Sequence, residues 1–244
     1  MAEYPHLRNA PITEAIVDVR TMVLPDFNAE QFAQLVPILA KDFPLVERMH
    51  GETFSTPHGP PSDAKRMERS GYLFRSADRL TIAQFRRDGF TLNRLHPYLS
   101  WRELRPIAVA LWARYRQIVG PLICARIGLR YVNLIDVVVP NARLEDYFLV
   151  YPTVPRDKQR HLTEFFSRST VLDPETGLMA AITMASQPSA SPNVGLILLD
   201  IDTYRQAAAG FSEEVVAPTL DALRIFKNDL FFNSITPKTV DRYR

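Results

Sequence analysis

GLRYVNLIDVVVP, residues Gly128 to Pro140, is the stretch whose reading decides the fold. Branched and aromatic residues crowd it as a strand requires, and it leads through Asn141 and Ala142 into RLEDYFLV, read as a short helix near Arg143 to Val150. The first half holds a counterpart. EAIVDVRTMVLP, Glu14 to Pro25, leads through Asp26, Phe27 and Asn28 into AEQFAQLVPILAKDF. Each stretch therefore reads as strand, proline, polar cap and helix. Each is followed by short alternating strands and a long amphipathic helix, Ser100 to Val119 in one case and Ser212 to Phe231 in the other. The expectation is an α+β fold built by tandem duplication of a β-α-β(3–4)-α unit, with residues 1–120 as the first repeat and 121–244 as the second. Mainly antiparallel sheets would pack one face against the long helices.

Finer punctuation supports this reading. Asn28 is placed to cap a helix over Ala29 to Asp42, with a bend at Pro37, and a strand runs from Pro44 to about Ser55. Thr56 to Ser70 reads as a proline-rich surface loop and Tyr151 to His161 as a linker. GYLFRS, RLTIAQFRR and GFTLNRLH are three short strands, the last two joined by the hairpin signal Asp88-Gly89. Ser100 and Glu103 form a capping box, and Gly120-Pro121 ends that helix and marks the boundary between repeats. Strands near Leu162–Val171, Leu178–Ser186 and Val194–Tyr204 precede the last long helix, and VDRYR at the end reads as frayed. A duplicated antiparallel sheet of this order resembles the pseudo-dyad saddle of TATA-binding-like folds, an analogy of fold without function.

Composition bounds the function. A chain of 244 residues with 46% hydrophobic and 23% charged content is ordinary for a globular protein. No run approaches the roughly 18 apolar residues of a membrane span, and the first residues lack a signal-peptide core, so a cytoplasmic protein without membrane contact is expected. The single Cys124 lies in a strand and reads as a buried spectator. Net charge is only +2, yet residues 65–116 hold twelve bases against four acids. Glycine-loop, metalloprotease and nucleophile-elbow signatures are absent, and the five histidines show no ligand spacing, so no cofactor and no catalytic residue is assigned.

Three groups of residues remain as site candidates. Arg75, Arg86, Arg87 and Arg94 fall on consecutive strands with Phe74, Phe85 and Phe90 between them; such a pattern can grip a polyanion, but a solvated face or a protein interface over an aromatic core is the favoured reading. Asp200 and Asp202, two apart on one strand, share a face and are weak candidates for a divalent cation or simply mark solvent. Glu14 and Arg130 open equivalent strands of the two copies, so a register-setting ion pair is expected between them. Asn133 and Lys227 are ambiguous between structural and ligand roles.

Three segments together resemble a sporadically distributed, uncharacterised bacterial protein family: Asn9 to Ala15 (N-x-P-I-x-E-A), Leu129 to Asn133 (L-R-Y-x-N) and Leu223 to Thr236, with its F-x-x-x-I-T exit. The resemblance implies a gene carried between strains, as in defence or toxin–antitoxin loci, and carries over no catalytic residue. The leading expectation is a non-enzymatic binding or assembly protein that recognises a partner protein or an anionic ligand through the basic sheet and the groove between halves. Alternatives are a metal-dependent nucleic-acid-processing enzyme using Asp200 and Asp202, and a small-molecule (nucleotide) sensor. Self-association into a homo-oligomer is left open.

Overall fold

The computed structural model describes residues 4–22, 26–49, 71–98, 100–138, 143–153 and 164–244. Nine strands form one sheet in the order β2-β3-β4-β5-β1-β6-β9-β8-β7. They are β1 Ile12–Thr21, β2 Leu45–Met49, β3 Gly71–Arg75, β4 Thr81–Arg86, β5 Gly89–Leu95, β6 Ile123–Val138, β7 Phe166–Leu172, β8 Met179–Gln187 and β9 Val194–Ser212. Among the described residues four α-helices accompany them: α1 Leu35–Leu39, α2 Trp101–Val119, α3 Val216–Ser234 and α4 Pro237–Arg242. No described helix is long and apolar enough to cross a membrane. The chain divides into two compact units. The first comprises Met1–Ala15, Leu129–Arg205 and Asp221–Arg244, the second Ile16–Gly128 and Gln206–Leu220.

The second unit is built on aromatic packing. In the antiparallel ladder of β3, β4 and β5, Phe74 stands opposite Ala83 and Ala83 opposite Leu92, while Tyr72, Phe85 and Phe90 form the neighbouring row. These side chains share one face because strand residues alternate. Phe32 and the α2 residues Trp112 and Tyr115 cover that face, with ring centroids 5.8 Å apart for Phe32–Phe85, 5.5 Å for Phe74–Phe85 and 5.2 Å for Phe85–Phe90. Burial of each such ring contributes roughly 1.5–3 kcal/mol. The capping box is present, with the Glu103 amide donating to Ser100 Oγ at 3.3 Å, and α2 ends at Gly120 with φ 84°. Gly89 is required: its φ is 142°, and a Cβ there would lie 2.0 Å from the carbonyl oxygen of Val19.

The first unit has an aliphatic core. Ile135 and Val137 of β6, Met184 of β8 and Ile197, Leu199 and Ile201 of β9 pack with Phe231 and Ile235 near the end of α3. The C-terminal segment is ordered rather than frayed. Thr236 caps α4 by accepting from the Thr239 amide at 3.2 Å, Val240 and Tyr243 are buried, and Tyr243 donates to Asp136 at 2.9 Å.

Several sequence expectations need correction. The tandem duplication is overturned by the sheet: all nine strands belong to one sheet instead of one per repeat, and the pseudo-dyad and the groove between halves go with it. The helix expected near Arg143 to Val150 shrinks to a single 3-10 turn, Leu144–Asp146. Its carbonyls are claimed elsewhere, since Thr236 Oγ1 donates to the Asp146 carbonyl and Thr239 Oγ1 to that of Tyr147, both at 2.8 Å, and Phe148 bridges to Ile235. The helix expected over Ala29 to Asp42 is a 3-10 segment, Ala29–Gln34, followed by the five residues of α1 around Pro37, which has no amide to donate. Asn28 does cap it, accepting from the Glu30 amide at 3.0 Å. β9 runs eight residues past the expected Tyr204. The Thr56–Ser70 loop, the end of the strand after Pro44 and most of the Tyr151–His161 linker lie outside the described residues.

Candidate functional site

Each unit carries a cluster of charged side chains on the sheet face opposite its core. In the second unit the cluster is closed at its centre, Arg86, while Arg20 at its margin is 40% exposed. Arg86, only 5% exposed, donates from Nε to Asp88 at 2.9 Å and from Nη1 to Gln84 and Thr91, both at 3.0 Å. Its Nη2 has no hydrogen bond and lies 3.6 Å from Asp18. Asp18 also accepts from Thr91 at 2.9 Å, Arg20 at 3.1 Å and Arg126 at 3.2 Å. Arg20 bridges to Asp88 as well. Burial alone would lower the Arg20 pKa, but Asp18 and Asp88 beside it hold it above its usual value.

This geometry separates the four arginines singled out from the sequence. Arg75 and Arg86 share the polar face, whereas Arg94 stands opposite Thr81, at the end of the aromatic face. Arg94 donates to Thr81 Oγ1 at 2.8 Å and to the Pro97 carbonyl at 3.3 Å. Arg75 Nε lies 3.3 Å from Glu47, within ion-pair distance but outside hydrogen-bond geometry. Both border an open hollow of about 520 Å³ with Pro44, Leu45, Val46 and Arg79. Arg87 is buried. Phe74, Phe85 and Phe90 are fully buried in the core, so they offer no ring for a base to stack on.

In the first unit the cluster is open. Arg130 of β6 grips Asp200 of β9 with two parallel bonds, Nε to Oδ1 at 2.8 Å and Nη2 to Oδ2 at 2.7 Å. The Asp200 side chain is 8% exposed, while that of Arg130 is 45% exposed. The Arg130 pKa is raised, first by the hydrogen bond to Asp200 and then, against the cost of burial, by the charges of Asp200, Asp202 and Glu14. Asp200 holds Arg130 with two bonds, and the charge of Glu14 also acts on it. Thr183 and Ala181 of β8 stand opposite Asp200 and Asp202, so small neighbours flank the carboxylates. Both Asp200 oxygens are engaged by the guanidinium, and no group of three potential metal ligands occurs among the described residues.

The other face of the same strands holds buried polar groups. Asn133 donates from Nδ2 to the Leu199 carbonyl at 2.9 Å and to the Tyr131 carbonyl at 3.3 Å. Thr203 Oγ1 reaches the Leu129 carbonyl at 2.8 Å and the Leu223 carbonyl at 3.4 Å, tying β9 to β6 and α3. Lys227 of α3, 8% exposed, sets its ammonium 4.0 Å from the centre of the Tyr131 ring. Burial, helped by the nearby charge of Arg224, lowers the Lys227 pKa to about 7. Burial likewise raises the Cys124 thiol to about 12, leaving it protonated and inert.

The three segments that carry the family resemblance meet in this first unit. The Leu134 amide donates to the Pro11 carbonyl at 2.8 Å and Thr13 Oγ1 to the Val132 carbonyl at 3.1 Å. Lys227 from the closing segment rests on Tyr131 from the middle one. The Arg130–Asp200 pair and the backbone role of Asn133 were not foreseen from sequence. The one available signal for Lys227 was its four-residue spacing from Leu223 and Phe231, which puts it on the buried side of α3. Compared with known proteins, the chain matches no family model and no curated protein.

Proposed function

We propose that the chain is a binding protein that recognises a partner protein through the face of the first unit bearing Glu14, Arg130, Asp200 and Asp202. The observation that carries this reading is the Arg130–Asp200 fork. A guanidinium held by two bonds yet 45% exposed is pre-organised, so a partner would lose little entropy in meeting it. The charges of Asp200, Asp202 and Glu14 all act on Arg130, and this acidic field favours a partner segment carrying lysine or arginine over a polyanion. The convergence of the three resembling segments on this unit supports the choice of unit. Placement in a mobile defence or toxin–antitoxin locus rests on the resemblance alone.

The test is affinity capture from host lysate with the wild-type chain and with Asp202→Lys, followed by measured binding of any captured protein. Loss of binding on charge reversal, with folding intact, is the expected outcome. Equal binding by both chains contradicts the assignment of this face. A parallel titration of labelled RNA and DNA over a salt series decides the polyanion alternative, which requires affinity falling steeply with salt.

A further inference from the structure

Two strands end the sheet order, and they differ in how they are defended. β2, LVERM, is five residues long, follows Pro44 and carries adjacent Glu47 and Arg48. Short length, proline and charge are the usual guards against edge pairing. β7, FSRSTVL, is seven residues long, contains neither proline nor glycine and has one charge, Arg168. It is exposed at six of its seven positions, with Phe166 at 72% and Leu172 at 61%. No strand lies beyond it among the described residues.

The ladder to β8 shows which groups β7 presents. Ser186 donates to the Phe165 carbonyl at 3.1 Å and Asp173 to that of Leu178 at 2.8 Å, and both pairs continue the register in which Phe166 faces Ala185. Hydrogen-bonded pairs alternate with non-bonded ones in an antiparallel ladder. The N–H and C=O groups of Ser167, Ser169 and Val171 therefore point to β8, and those of Phe166, Arg168, Thr170 and Leu172 point away from it.

We propose that β7 pairs antiparallel with β7 of a second copy of this chain, about a two-fold axis at Ser169. In that register Phe166 faces Leu172 of the second copy and Arg168 faces Thr170, each pair able to exchange both backbone bonds. The two most exposed apolar side chains of the strand cover one another, and the contact is isologous as a closed dimer requires. Neighbouring registers are worse. An axis at Arg168 sets the two arginines directly opposite, and one at Thr170 leaves Phe166 facing Pro174, past the end of the strand. The assembly does not rest on the recognition face proposed above.

Sedimentation over roughly 1–100 µM tests it, a range suited to an interface below the standard size. The wild-type chain is expected to reach twice its mass of 27.8 kDa. Thr170→Pro removes an outward amide and leaves the β8 ladder alone, so it should weaken the dimer by about tenfold or more. Phe166→Lys and Leu172→Glu should each weaken it, and the double variant should recover it, because each new ammonium meets a new carboxylate across the axis. If Thr170→Pro unfolds, the charge series decides alone. A monomer throughout the range, a folded Thr170→Pro variant that dimerises as the wild type does, or a double variant no better than the single ones overturns the proposal.

Discussion

The two charge clusters use the same residue types for opposite ends. In the second unit Arg20, Arg86 and Arg126 share Asp18 and Asp88; Arg86 is 5% exposed, and even the 40% exposed Arg20 is paired with both carboxylates, so the charges are spent on one another above an aromatic core. In the first unit one guanidinium faces three carboxylates and stays 45% exposed, above a core that also buries Asn133, Thr203 and Lys227. A count of arginines along the chain points to the second unit. Their partners point to the first. An arginine is available to a ligand only where its own protein has left it exposed.

Stability measurements can break or sharpen this contrast. Phe85→Ala should be the most damaging change, about 3–5 kcal/mol in urea unfolding, because its ring touches Phe32, Phe74, Phe90 and Tyr115. Arg86→Ala should cost about 2–4 kcal/mol, since it strips a buried network of its central donor. Arg130→Ala should cost less, about 1–2 kcal/mol, because water reaches that guanidinium and can reach Asp200 once it is gone. The reverse order of the two arginine variants would break the distinction between a structural and an available cluster.

Lys227 gives a pH test within the first unit. Its folded pKa, about 7, lies below the unfolded value, so the unfolded chain binds more protons between pH 7 and about 10.5. Stability should therefore rise with pH across that window, by at most about 1.4 kcal/mol per pH unit from this group. Lys227→Met should be more stable than wild type at pH 7, with the gap closing as pH rises; a gap independent of pH would show that the amine is not held as described. The smallest effect belongs to Glu47→Ala, under about 0.5 kcal/mol, because its pair with Arg75 is exposed.

What the sequence made legible was local. β6 and the β3–β5 meander follow from alternation and from Asp88-Gly89, and the caps at Asn28 and Ser100 from side chains that reach their own helix. What failed depended on distant partners. RLEDYFLV has a helical pattern, but Thr236 and Thr239, some ninety residues on, take the carbonyls a helix would need. VDRYR is polar as a string, yet Val240 in α4 and Tyr243 at its C-cap are both buried. Arg130 and Asp200 meet across a register between β6 and β9 that a separation of seventy positions conceals.

The most direct test pairs one variant from each unit, Asp202→Lys and Arg20→Gln, and reads both partner binding and thermal unfolding. The account predicts that Asp202→Lys abolishes binding with Tm within about 2 °C of wild type, while Arg20→Gln lowers Tm by several degrees and binds normally. Binding lost in the Arg20 variant and kept in the Asp202 variant would contradict it.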